Sequence, residues 1–280
     1  MRYLRQALPL LPFLAVVTVF LLIPTVTVIV NAFVVDGRFS LELVAALFGQ
    51  APLTALVRSL VLSGVSALIG AVGGAVLAWL ILSSPPRSLI RRAVLALSSV
   101  LAQFGGVALA FAFLATVGIN GVLTLWLQHL LSVNIAPGGW LYSLPGLILV
   151  YTYFQIPLMV IVFLPALEGL RAQWREAAVS LGASTWQYWR EVALPLLTPA
   201  FLGSALLLFA NAFAAYATAA ALVSQGSPIV PLLIRAALTS EVVLGQSGFA
   251  YALALEMIVV VAVVMVAYNA LVRRTARWLT

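Results

Sequence analysis

The sequence predicts an all-α integral membrane protein, a bundle of six transmembrane helices. Three observations predict it. Of 280 residues, 64% are hydrophobic and 8% charged, against about 45–50% apolar and about 25% charged in soluble globular domains. So much apolar side chain exceeds what a chain of this length buries inside itself. Six long runs nearly free of charge divide the sequence, each matching the roughly 20 residues that a helix needs to cross a bilayer core of about 30 Å. The basic residues, all 14 of them arginine, gather between alternate runs.

The first run, Leu8–Val34, is too long for a signal-peptide core, and no clear small-x-small cleavage site follows it; it reads as a retained span. The others are Leu56–Leu82, Ala93–Gly118, Leu141–Leu167, Pro199–Ser224 and Phe249–Val272. Only Arg58 and Glu256 interrupt these runs with charge. The outer connections, Val35–Ala55, Ile119–Trp140 and Gln225–Gly248, are moderate, and Asn120–Leu131 is apolar enough for a short interfacial helix. The reading is one transmembrane domain over residues 1–280, with a cytoplasmic loop at 168–198.

Arginine placement orients the spans. Arg2 and Arg5, then Arg87, Arg91 and Arg92, then Arg171, Arg175 and Arg190, then Arg273, Arg274 and Arg277 fall on one side; Arg38, Arg58 and Arg235, offset by Asp36, Glu42 and Glu241, fall on the other. By the positive-inside rule the first set is cytoplasmic, and so are both termini. The net charge of +7 is then an orientation signal, and no nucleic-acid partner is expected.

The composition also excludes chemistry. With no Cys there is no disulfide or thiol nucleophile. One histidine, His129, excludes a multi-histidine metal site. With no Lys there is no P-loop, so ATP-driven work would need ATP bound by another chain. Neither a catalytic pair nor a metal site is expected. In the spans, Tyr151, Tyr153, Gln155, Gln103, Asn211, Tyr216 and Glu256 are candidate linings for a polar path, because lipid cannot satisfy polar groups. Tyr151, Gln155, Asn211, Tyr216 and Glu256 are the first choices among them. Buried Asn and Gln also serve as ties between helices. A carboxylate inside a span, as at Glu256, faces a cavity or a partner. It suits a cationic solute, and suits equally an arginine or hydroxyl of another chain, or a proton of its own.

The cytoplasmic loop has a different pattern. Trp174, Ala177, Ala178 and Leu181 follow i, i+3, i+4, i+7 spacing, one stripe of a helix. Gly182 stops it. Ser184 and Gln187 form a capping box for a second helix, expected to end before Pro195, with Thr198-Pro199 opening the fifth span. Such a pair suits either docking into a groove through its small residues or lying on headgroups through Trp174, Trp186 and Trp189.

Glu176-Ala177-Ala178, Gly182-Ala183, Val192 and Leu194-Pro195, with Pro199 beyond, match E-A-A-x-x-x-G, nine residues, I/V-x-L-P. This loop resembles the "EAA" signature of permease subunits of bacterial binding-protein-dependent ABC importers of type I. Arg58-Ser59-Leu60 before the second span and Asn120-Gly121 after the third look like the subclass for polyamines, phosphonates, iron and sulfate. The resemblance implies a coupling helix with Glu176, Ala177, Ala178, Leu181, Gly182 and Ala183 at the contact with an ATPase. It implies two ATP-binding-cassette subunits holding ATP and Mg, a second permease (homologous or identical), an extracytoplasmic substrate-binding protein and a lipid environment. It places the chain in the bacterial cytoplasmic (inner) membrane, with no cofactor and no enzyme activity of its own. Half of the path for a polyamine or similar small charged compound is the expected role. The alternatives are an ion-gradient-driven secondary transporter using Glu256 and an intramembrane enzyme. Neither needs an E-A-A helix before L-P, and the second lacks an assembled catalytic pair.

Overall fold

The computed structural model describes residues 11–35, 37–85, 87–223, 229–239 and 247–276. Arg2, Arg5, Asp36, Glu241 and Arg277 lie outside the described residues. Among those described, six stretches are long and apolar enough to cross a membrane, and the chain forms two compact units.

The first unit comprises Met1–Leu56 and Val230–Val260. Helix α1 (Leu11–Asn31) carries a π turn at Thr18–Leu22 and has no buried residue. Phe13 and Phe20 are 66% and 76% exposed. A helix apolar on every side needs lipid or another chain around it. A two-stranded antiparallel hairpin follows, β1 (Val34–Val35) paired with β2 (Arg38–Phe39), with Phe33 stacked on Phe39 at 6.0 Å. After it come α2 (Glu42–Ala46) and the first turns of α3 (Gln50–Ser83). The outer connection read as plain loop after the fifth span contains a helix of its own, α11 (Val230–Thr239). It joins the core made by Leu47, Ala55, Val230, Ala252 and Leu253. The last two belong to the sixth span, α12 (Ser247–Ala276).

The second unit comprises Val57–Ile229 and Val261–Thr280. Its centre is the contact of α3 with the fourth span, α7 (Leu144–Glu168), around Ala67, Ala71, Ala78, Met159, Val160 and Phe163. Gly70 and Gly74 lie one turn apart on α3 against Gln155, Ile156 and Met159 of α7. Lacking a hydrophobic drive in lipid, helices associate through such close backbone approach.

Two expected spans are corrected. The third, read as continuous over Ala93–Gly118, is broken: α4 (Leu89–Gln103) stops, Gly105 is extended, and Gly106 at φ +67° opens α5 (Gly106–Val117). The pair Gly105-Gly106 provides the freedom for the break. After a turn, α6 (Val122–Leu131) follows, and α5 with α6 makes the crossing stretch Gly106–Leu131. The fifth, read as Pro199–Ser224, starts much earlier. Helix α9 (Thr185–Ala214) runs unbroken through a π turn at Trp189–Ala193. The second loop helix therefore does not end before Pro195, and the loop read as reaching residue 198 gives way to helix at Thr185. The wider i→i+5 turn, with Leu194 N–H donating to the Trp189 carbonyl, accommodates Pro195 just after it. Thr198 donates its hydroxyl to the Leu194 carbonyl at 2.7 Å instead of capping a new helix. The helix then breaks at Ala215–Tyr216 before α10 (Ala217–Leu222).

Candidate functional site

The loop pattern becomes geometry at α8 (Ala172–Ser180). Its end is a Schellman motif: Gly182 N–H donates to the Val179 carbonyl and Ala183 N–H to the Ala178 carbonyl, each at 2.9 Å. Gly182 takes φ +82°, a conformation an L side chain rarely adopts. Two residues on, Ser184 starts α9 with both arms of the capping box: Gln187 N–H donates to Ser184 Oγ at 3.2 Å, and Ser184 N–H to Gln187 Oε1 at 2.7 Å. The two helices thus meet at a turn whose backbone groups are satisfied on both sides.

This segment presents its side chains outward. Glu176, Ala177, Leu181 and Gly182 are exposed, and Ala178 and Ala183 are partly covered. Leu181 is 88% exposed and Val179 60%. The tryptophans divide: Trp186 is exposed, Trp174 lies under the Arg171 guanidinium at 5.8 Å, and Trp189 turns inward to meet Trp79 edge-on at 6.4 Å. Tyr188 is buried beside it. The base of α9 is therefore locked to α3, while α8 stands free of the bundle.

A contact that spacing did not reveal anchors the approach to α8. Arg91 Nη2, in the first turn of α4, lies 2.6 Å from Oε1 of Glu168, the last residue of α7. Opposite charges in two separate connections were visible, but nothing in the sequence pairs residues 77 positions apart.

The candidate path residues are distributed unevenly. Tyr151 and Gln155 are fully buried on α7. Tyr151 donates its hydroxyl to the Ala215 carbonyl at 2.5 Å, beside the break in the fifth span, and Gln155 Nε2 donates to the Leu208 carbonyl at 3.0 Å. Both act as ties between α7 and α9 here. Asn211 is exposed on α9, and Tyr216, partly buried, opens α10. Glu256 belongs to the first unit; its Oε2 is buried with no hydrogen-bond partner among the described residues.

The two helix breaks adjoin. Helix α10 packs along α5, and a Cβ on Gly106 would lie 3.6 Å from that of Ala217. Interrupted backbone at membrane depth is tolerated only inside protein or beside water. Gln103 and Asn211, both exposed, flank the two breaks. Gly105-Gly106 is the local signal that could have announced the first break, although the span was read as continuous across it; Ala214-Ala215-Tyr216 has no breaker to announce the second.

The sequence model of the family described as "Binding-protein-dependent transport system inner membrane component" matches residues 122–277, more than half of the chain. The chain belongs to this family. The match takes in α6 to α12 and therefore the whole α8 segment. Among the relatives of this chain, the sulfate transport system permease protein CysW of Escherichia coli (strain K12) is 29% identical over 195 residues, 69% of this chain and 62% of that protein. The chain thus matches less than two thirds of that relative's length. The molybdenum transport system permease protein ModB of the same strain is 28% identical over 61% of this chain and 72% of its own. The fold is that of ABC importer permeases. A chain of a bacterial ABC transporter involved in the import of the acidic polysaccharide alginate superposes with TM-score 0.75 at 19% identity, covering 97% of this chain and 96% of that one. A chain of the inward-facing MetNI methionine ABC transporter superposes with TM-score 0.57 at 17% identity, covering 81% and 99%. CysW and ModB are named as transport permeases, and six apolar spans among the described residues make this family member a multi-pass membrane protein.

Proposed function

We propose that this chain is the permease subunit of an ATP-driven ABC importer, forms half of the path for a small charged solute, and couples to an ATPase subunit through α8. One observation carries the reading. A helix of nine residues is too short to be stable by itself; it is held by a Schellman turn and a capping box, and it presents Ala177, Val179 and Leu181 outward. That combination suits a helix seated in another protein's groove. Closure of two ATPases around ATP would then bias the packing of the spans, because the docked helix ties one equilibrium to the other. The ATPases would hold ATP and Mg. A second permease would complete the path, and an extracytoplasmic binding protein would deliver the solute. The arginine bias supports cytoplasmic termini in a bacterial inner membrane.

For the solute, the relatives named above favour an oxyanion of the sulfate or molybdate kind over the polyamine that the subclass likeness suggested. Gln103 and Asn211 beside the two helix breaks supply neutral polar lining consistent with either. A gradient-driven carrier relying on Glu256 would leave α8 without a purpose.

The chain lacks cysteine, so Ala177→Cys and Ala178→Cys each create a unique cross-linking handle. Both are expected to capture the co-purifying ATPase, with a yield that differs between ATP and ADP. A complex that transports yet never cross-links at either position would refute the docking reading. Uptake of labelled sulfate, molybdate and spermidine by proteoliposomes containing the binding protein separates the solute classes.

A further inference from the structure

A cavity of about 310 Å³ lies in the second unit among the ends of α3 and α7 and the π turn of α9. Its lining includes Val76, Trp79, Phe163, Trp189, Leu194 and Phe201. Two edge-on aromatic pairs form its walls, Trp79 with Trp189 at 6.4 Å and Phe163 with Phe201 at 5.8 Å. The one hydroxyl on its surface, that of Thr198, is already bonded to the Leu194 carbonyl, and the other lining side chains are aliphatic or aromatic, so the space suits a largely apolar guest. Its volume reaches the lower end of ligand-sized pockets. Three lining residues, Val76, Trp79 and Leu194, are 51%, 44% and 50% exposed, so the cavity opens on the side of the helices that meets lipid.

The mouth sits at the basic end of the spans. Arg190, exposed, adjoins Trp189 on the π turn about one turn before Leu194, and Arg87, exposed, follows the end of α3. The carboxylates nearby are Glu191 on that turn and Glu168 beside the lining residue Leu167, and Glu168 is already paired with Arg91. Trp186, 69% exposed in the first turn of α9, suits headgroup depth. Exposed basic residues at the same end of the helices as an apolar gap match a lipid with a negatively charged headgroup.

We propose that this cavity is a binding site for an anionic phospholipid, one acyl chain lying between the Trp79–Trp189 and Phe163–Phe201 pairs and the phosphate held by Arg190. The occupant would brace the π turn through which α9 connects to the α8 segment. The site is independent of which solute the path carries.

The test uses the full chain in its assembled transporter, reconstituted in phosphatidylcholine nanodiscs doped with phosphatidylglycerol or phosphatidylcholine brominated on its acyl chains. Trp189 emission is isolated by difference with Trp189→Phe. Brominated phosphatidylglycerol should quench Trp189 at roughly fivefold lower mole fraction, the factor matching about 1 kcal/mol per surface basic residue. Arg190→Gln should abolish that preference, and Ala75→Phe, which fills the cavity, should abolish quenching by both lipids. If Ala75→Phe does not assemble, Val76→Phe at the exposed mouth replaces it. Equal quenching by the two lipids, quenching that survives the filled cavity, or none at all, as a protein partner in the cavity would give, overturns the proposal.

Discussion

Gly74 of α3 presses on Met159 of α7 so closely that a methyl group on Gly74 would collide with the Met159 side chain and come within 2.6 Å of the Ile156 carbonyl oxygen. The neighbouring atoms are largely backbone or close to it, so they cannot swing aside. Gly74→Leu is therefore expected to separate the two helices at the centre of the second unit and to lose most folded protein. Gly74→Ala should cost about 1–3 kcal/mol, the usual range for overpacking. Gly64 has nothing within 4 Å of its added Cβ, and Gly64→Ala should be tolerated. Thermal unfolding in detergent checks both; equal melting temperatures for Gly74→Ala and Gly64→Ala would contradict the packing account.

Gly182 poses a different constraint. Space is open around it, but its φ of +82° disfavours any β-branched residue by roughly 1–3 kcal/mol. Gly182→Val should leave the spans folded and membrane-inserted while the turn between α8 and α9 is lost. ATP hydrolysis should continue with solute uptake reduced at least several-fold, and Gly182→Asn should retain more uptake because Asn tolerates the left-handed region. Tight coupling in the valine variant, measured as solute moved per ATP hydrolysed, would count against the role of this turn.

The ties from α7 to α9 differ in what their removal leaves behind. Tyr151→Phe deletes a donor to the Ala215 carbonyl beside a helix break and should destabilise by about 0.5–1.5 kcal/mol. Gln155→Met deletes the bond to Leu208 but also removes a buried Oε1 that has no partner among the described residues. Its effect should be near neutral, since taking away an unsatisfied group offsets the lost bond. Melting temperatures of the two variants should fall in that order, with Tyr151→Phe the lower.

Glu256 separates the two solute classes. Its buried Oε2 has no hydrogen-bond partner among the described residues, and a lone carboxylate in a span repels anions and attracts cations. Under the oxyanion reading, Glu256→Gln should leave uptake of sulfate or molybdate at or above the parent level, with assembly unchanged. A selective collapse of spermidine uptake in the same variant would restore the polyamine reading.

Much of the fold was legible because the bilayer imposes a long-period, high-contrast signal. Six apolar runs require no knowledge of neighbours. The α8 segment was legible for a local reason: the capping box of Ser184 and Gln187 and the turn at Gly182 involve residues within a few positions of each other. The end of the second loop helix was not. Pro195 and Pro199 read as a stop and a start, whereas one π turn carries α9 past both.

The sequence by itself determined that this chain lives in lipid, how many times it can cross, and which short segment carries a self-capped exposed helix. These follow from composition and from contacts made within one or two helical turns. Only the tertiary structure decided that the third and fifth spans are broken side by side, that Tyr151 and Gln155 tie helices together, that Arg91 meets Glu168, and that an aromatic cavity lies behind the π turn. Each depends on residues tens of positions apart, and an apolar span has the same periodicity whichever neighbour it packs against.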